Sequence, residues 1–452
     1  MQSQLEDLKK FIDENQFSSA EFAEAIHGCK QVLAYKDDTK EYQKISIFYL
    51  SILQSLVKSE QEPITVNSKM MEIIINLTHS PYLSVDAYAT LVILAEKEGY
   101  QTDMKKQVKY ESIWDGLYLP KVVEFVTIDD KTDLKVVDAV VLHCSELCIK
   151  VMQQSEQADI DISAILALYQ HSNLSIKYNA VLIINLVAKS NLELLQETNC
   201  ISETMKLLSS WKSENDKPIT EEIFKFFEII SDNDVLYKKM SNMGVFNLLT
   251  TTIMKSTEVT EIESAVSTMN KFMETRSESV DKFVQMSIIK ILFNKINSHE
   301  DCKIKLLFFR SLMKISNVES SRSSIIKNDA FKYLGDWYQN ADIDSHELRV
   351  ESFSLFAILA GSLPEEEFRD GKFIESLSTE KIIEASCTFT DVEENLQLVL
   401  DQTIVKLLVV LFDQQQTKIQ KNFTPKVLAW LKEHTRIEDS KDLLNKIESI
   451  NL

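Results

Sequence analysis

Nine times along the chain an apolar or small residue is followed by apolar residues four and seven positions later, and these triads recur at a nearly constant interval. They start at Ile45 (with Tyr49, Ile52), Ala87 (Leu91, Leu94), Val140 (Cys144, Leu147), Ala180 (Ile184, Val187), Ile223 (Phe227, Ile230), Ala265 (Met269, Phe272), Phe308 (Leu312, Ile315), Ser352 (Phe356, Leu359) and Ile404 (Leu408, Leu411). Successive starts lie 42, 53, 40, 43, 42, 43, 44 and 52 residues apart. Offsets of four and seven place three side chains on one stripe of an α-helix. A module this short cannot shelter its stripe alone, so it must stack against copies of itself.

Composition agrees. The 452 residues contain only 7 glycines and 6 prolines, against averages of about 7% and 5%. That scarcity disfavours TIM barrels, Rossmann sheets and β-sandwiches, whose tight turns draw on both residues. Apolar spacings of three and four fill the stretches between breaks, and no convincing strand alternation is seen.

A second pattern lies downstream of each triad, where a polar or small pair opens the next apolar helix: Asn199-Cys200-Ile201, Met243-Gly244-Val245, Met286-Ser287-Ile288, Asp329-Ala330-Phe331 and Gly371-Lys372-Phe373. Here the chain resembles the armadillo/HEAT-repeat superfamily. Asn179-Ala180 through Asn185-Leu186 is similar to an armadillo third helix, and Met243 to Leu249 to the opening of the following repeat. The likeness spans about residues 40–412 and is strongest over 175–335. It implies an all-α fold, a right-handed α-solenoid of about nine armadillo/HEAT-like repeats. We expect N-terminal capping helices over 1–41, the repeat array over 42–415 with insertions near 99–133 and 361–395, and C-terminal capping helices over 416–452. Pro425 suits the first turn of a capping helix, where its missing N–H is not needed.

The chain carries 69 acidic residues against 49 Lys and Arg, a net charge of −20. Such a charge repels phosphate backbones and anionic headgroups, so neither nucleic-acid binding nor membrane insertion is expected. The polar start, with Leu5, Leu8, Phe11 and Ile12 on one helical face, lacks the apolar core of a signal peptide. Six scattered cysteines (Cys29, Cys144, Cys148, Cys200, Cys302, Cys387) read as buried thiols. The expected location is the cytoplasm, with the nucleus as a second compartment.

No chemistry-bearing motif stands out. His143, Cys144 and Cys148 share a helix, but structural burial explains them better than zinc. GxSxG, GxGxxG and Walker A segments are absent, the seven histidines fall mostly in loops or helix ends, and no carboxylate pair is singled out. No catalytic residue, cofactor or metal is assigned.

Import receptors of the armadillo family hold peptides on a ladder of asparagines; at the matching position, five after each triad start, only Asn185 and Asn270 fit. Trp211 and Trp337 each close a predicted second helix, where a side chain could line a groove. Charge is uneven. From Asp281 to Gly335 ten Lys/Arg face five acids, whereas Ala341 to Asn395 holds fourteen acids and four bases. Such a run is ordinarily a solvated face with adjacent repeats pairing their charges. The functional reading is a patch of Lys305, Arg310, Lys314, Arg322 and Lys327 that meets an acidic segment of a protein partner.

The resemblance implies a non-enzymatic protein-binding solenoid, monomeric by itself, that acts as scaffold, adaptor or assembly chaperone, as proteasome-base and myosin-directed chaperones do. Two alternatives stay open: a stoichiometric regulatory subunit of a large complex such as a rotary ATPase, and an enzyme whose site is unrecognised.

Overall fold

The computed structural model describes residues 19–34, 40–59, 68–96, 114–128, 131–154, 160–209, 217–334, 346–363, 379–380, 383, 394–414 and 423–449. Among them the secondary structure is helical, apart from one isolated bridge between Ile128 and Lys131. The chain divides into two compact units, Met1–Lys239 and Met240–Leu452.

The first unit contains α1 (Ser19–Leu33), α2 (Lys40–Ser59), α3 (Ser68–Leu77), α4 (Ser84–Glu96), α5 (Leu119–Val126), α6 (Leu134–Gln154), α7 (Ile162–Ala167), α8 (Leu174–Ser190), α9 (Glu193–Gln196), α10 (Cys200–Ser209) and α11 (Lys217–Ile230). Its long helices α2, α4, α6, α8 and α11 carry the first five triads, and each packs on the next. A 3-10 turn at Asp115–Leu117 and α5, which fall within the expected insertion near 99–133, pack on α6.

Helix α12 (Asp234–Met243) leads into the second unit, which contains α13 (Val245–Lys255), α14 (Val259–Thr275), α15 (Ser277–Gln285), α16 (Ile288–Ser298), α17 (Cys302–Ser316), α18 (Glu319–Lys327), α19 (His346–Gly361), α20 (Glu394–Gln414), α21 (Pro425–Glu433) and α22 (Glu438–Ser449). The triad helices α14, α17, α19 and α20 again pack in succession. Ahead of α17 stand a short helix, α15, and a medium one, α16, so three helices make one module.

Burial follows the triads. From Ala87 onward every triad side chain is at most 3% exposed. The first triad is a correction. Ile45 is 40% exposed, and the stripe of α2 that faces inward is Ser46, Leu50, Leu53 and Val57. A serine there allows close helix approach, as Ser352 does at the start of a later triad, and the apolar template passed over it. Moving the start to Ser46 leaves the interval to Ala87 within the repeat.

Aromatic side chains bind the second and third helices of one module to the first helix of the next. Phe246 of α13 lies 5.3 Å from Phe272 of α14 and 4.9 Å from Phe283 of α15, ring centre to ring centre. All three are buried. Burying each phenyl ring contributes about 1.5–3 kcal/mol.

The links between first and second helices repeat too. Gly244, Ser287 and Asp329, 43 and 42 residues apart, all have left-handed backbone, with φ of 87°, 60° and 59°. These are the polar or small pairs singled out from the sequence. A left-handed residue stops one helix and sends the chain sharply into the next. The third helices start on side-chain caps: Asp133, Asn173 and Asp301 accept the backbone N–H of Lys135, Ser175 and Lys303 at 2.9, 2.9 and 2.7 Å. Each cap satisfies a donor that the helix leaves unpaired.

Candidate interaction surface

The triads consume one face of each long helix. What the neighbouring faces carry is a set of polar links, each joining one triad helix to the next. In the first unit Gln54 of α2 donates to Thr90 Oγ1 and to the Asp86 carbonyl of α4 at 2.9 and 3.3 Å. Lys150 of α6 pairs with Glu96 of α4 at 3.2 Å. Asn179 of α8 donates to Ser145 Oγ of α6 at 2.9 Å. Asn185 Nδ2, also on α8, donates to the carbonyl and to Oε2 of Glu222 on α11, both at 3.0 Å.

In the second unit Lys314 of α17 pairs with Glu274 of α14. Arg310, on the same helix, reaches Glu351 and Glu347 of α19 at 3.3 and 3.6 Å. Exposed pairs of this kind contribute only about 0–1 kcal/mol each. Their effect is orientational: they hold the side chains of the outer face in defined positions.

This geometry places the residues expected to bind a partner. Asn185 and Asn270 are 4% and 7% exposed, and Oδ1 of each is buried without a hydrogen-bond partner among the described residues. The donor side of Asn185 is already taken by Glu222. Arg310 and Lys314 are engaged by acids of the flanking helices, and Arg322 points inward, donating to the Ser316 carbonyl at 2.6 Å and to Ser362 Oγ at 3.3 Å. Lys305 is half-buried and Lys327 exposed. Trp211 and Trp337 lie outside the described residues, as do Cys387 and the Gly371-Lys372-Phe373 pair.

Other members of the basic run are also engaged. Lys282 sits 5.1 Å above the Phe246 ring, and Lys295 donates to the Ser256 carbonyl at 2.7 Å. Burial pulls the Lys295 ammonium below the usual lysine range. The acids that complete the links, Glu222, Glu274 and Glu351, were missed by sequence reasoning. Glu222 and Glu351 each stand immediately before a triad start, which is the one signal that could have found them.

The His143, Cys144 and Cys148 group separates. His143 Nδ1 lies 2.9 Å from Glu146 Oε2 on the exposed side of α6. Cys144 faces Tyr88 and Gly116, and the Cys148 thiol lies 3.8 Å from Met152 Sδ. Burial pushes both thiols far above the ordinary cysteine range, which keeps them protonated. Among the described residues no three His, Cys, Asp or Glu side chains form a metal-binding group, and no helix is long and apolar enough to cross a membrane.

No protein-family model and no curated protein matches the sequence. Solved structures do. An engineered protein from a structural genomics consortium aligns over 92% of this chain and 99% of its own, with a TM-score of 0.59 and 14% identity. The chain shares the all-helical fold of that engineered protein. A designed armadillo repeat protein aligns over 56% of this chain and 100% of its own, with a TM-score of 0.42 and 14% identity. Identities this low speak to the fold alone.

Proposed function

We propose that this chain is a non-enzymatic scaffold that binds other proteins on the outward faces of its triad helices, as an adaptor or assembly chaperone of the proteasome-base or myosin-directed kind. The helical-repeat fold fits a protein-binding scaffold. The observation that carries the reading is the row of links between neighbouring triad helices. They fix the outer face in advance, so a partner meets an ordered surface and less ordering entropy is lost on binding. Lys305 on triad helix α17 and Lys327 at the end of the neighbouring α18 make no ion pair among the described residues, and they are the members of the expected basic patch left to meet an acidic partner segment. The working form is a monomer in the cytoplasm or nucleus.

The test is affinity purification with the wild-type chain and with the Lys305→Glu, Lys327→Glu variant. We expect a reproducible set of protein partners, with lower yield and weaker salt dependence for the variant at unchanged helicity. Equal yields remove the basic patch, and failure to retrieve any partner in stoichiometric amount removes the scaffold reading.

A permanent subunit of a large assembly, for which a rotary ATPase is one example, is the second reading. It requires exposed apolar side chains such as Leu134, Leu194 and Met254, at 71%, 49% and 47% exposure, to be covered by the other subunits, since singly scattered ones are ordinary on a free surface. Size-exclusion chromatography of native extract separates the two: constant migration with one complex supports the subunit, and a mostly free pool supports the adaptor.

A further inference from the structure

The C-terminal helices hold a buried charged cluster that the protein-binding reading does not use. Asp401, in the second turn of α20, is 1% exposed. Its Oδ1 accepts from Gln397 Nε2 at 2.8 Å, one turn back on the same helix. Its Oδ2 makes no hydrogen bond in strict geometry but lies 3.4 Å from His434 Nε2 and 3.8 Å from an Arg436 terminal nitrogen. His434 closes α21. Its Nδ1 is 2.7 Å from the Trp430 carbonyl, and its ring stacks on the Trp430 indole with centres 4.0 Å apart and planes 20° from parallel.

The two ring nitrogens settle what this arrangement needs. Nδ1 faces a carbonyl, which only accepts, so it must carry a proton. Nε2 faces a carboxylate, which also accepts, so it must carry one too. A neutral imidazole has a single N–H and leaves one of these contacts without a donor. The imidazolium satisfies both, and it sits at a helix C-terminus, where positive charge is favoured. The cation also offsets a carboxylate that is costly to bury alone. Among the described residues Arg436, half in solvent, is the other charged group recorded against Asp401 and the ring.

We propose that His434 and Asp401 form a proton-operated latch that holds the terminal pair α21 and α22 against α20, closed when the imidazole is charged and loosened when it loses its proton. The rest of the docking is an exposed ion pair between Lys446 of α22 and Asp413 of α20 at 3.6 Å and apolar contact, with Val427, Trp430, Leu431, Leu443, Leu444 and Ile447 buried. Loosening therefore lowers local stability without releasing the pair entirely. Burial works against the charged ring, but the nearby Asp401 carboxylate and the Trp430 carbonyl outweigh it and raise the histidine above its ordinary range. A raised folded-state value gives stability that is full below the unfolded histidine's titration and is lost as pH rises through the folded one.

Hydrogen exchange of the full-length protein, corrected for the intrinsic pH dependence of exchange, reads the latch directly. Between pH 6 and pH 8.5 protection over residues 425–449 should fall several-fold in the wild type while residues 259–316 stay constant. In His434→Gln, protection at pH 6 should already be low and should not change with pH. A wild type without the pH response, or a variant that retains it, overturns the proposal. Asp401→Asn is the second arm: histidine-selective NMR, with the resonance assigned by its loss in His434→Gln, should show the His434 titration moving down. If Asp401→Asn does not fold, Arg436→Gln takes its place, and the His434 titration should then move up because a repelling charge is gone. An unmoved titration in the arm that folds overturns the pairing.

Discussion

Replacing Gly244 by alanine isolates what the recurring left-handed turn is worth. A Cβ built on Gly244 meets nothing within 4 Å, so the substitution introduces no collision. What it introduces is the cost of a left-handed backbone, φ 87°, for a residue with a side chain, about 1–2 kcal/mol. Against this, alanine lowers the entropy of the unfolded chain, which returns about 0.4–1 kcal/mol. The net expectation is a loss of about 1 kcal/mol. Ser287 supplies the mirror experiment because it holds the same backbone conformation, φ 60°, with an exposed side chain. Ser287→Gly should gain about 0.5–1 kcal/mol by the same two contributions, and Ser287→Ala should change little. Urea unfolding followed by circular dichroism gives the shifts, and hydrogen exchange over residues 234–298 assigns them to the turns. A Gly244→Ala protein as stable as wild type, or a Ser287→Gly protein less stable, would refute the reasoning that backbone conformation alone sets the cost.

Two further outcomes follow from packing. Phe246→Ala empties the meeting point of α13, α14 and α15 and should cost about 3–5 kcal/mol, seen as early loss of exchange protection in those three helices. Gly116→Ala should cost about 1–3 kcal/mol by overpacking, since its Cβ would lie 2.7 Å from Tyr88 Oη and 2.8 Å from Cys144 Sγ; limited proteolysis around residues 114–128 should report the displaced turn, and an unchanged cleavage pattern would contradict the contact.

The helical periodicity was legible because it rests on burial, which leaves its mark in residue type. Eight triads read from the sequence are the inward stripes of their helices, and the ninth failed only where Ser46, small enough to suit a helix interface, stood in place of an apolar residue. The turn pairs were legible for the same reason at Gly244, where the residue advertises its backbone. At Ser287 and Asp329 the residue type does not, and only position within the repeat identified them. The interaction surface was harder to read. Lys314 and Glu274 are 40 residues apart in sequence, and an ion pair between surface residues has no local pattern to betray it. The basic run therefore looked available from composition, whereas Arg310, Lys314 and Arg322 are held within the fold. Asp401 was invisible for a related reason: a single acid among 69 shows no sign of being buried until the helix opposite it is placed.

The links between triad helices share one property. Each reaches only the adjacent helix, from Gln54 to Thr90 at one place and from Arg310 to Glu351 at another. Within a unit, a lesion is thus felt by its immediate neighbours and fades beyond them. The same arrangement lets evolution lengthen or trim such a chain by whole modules, because no distant residue has to be rewritten when one is added.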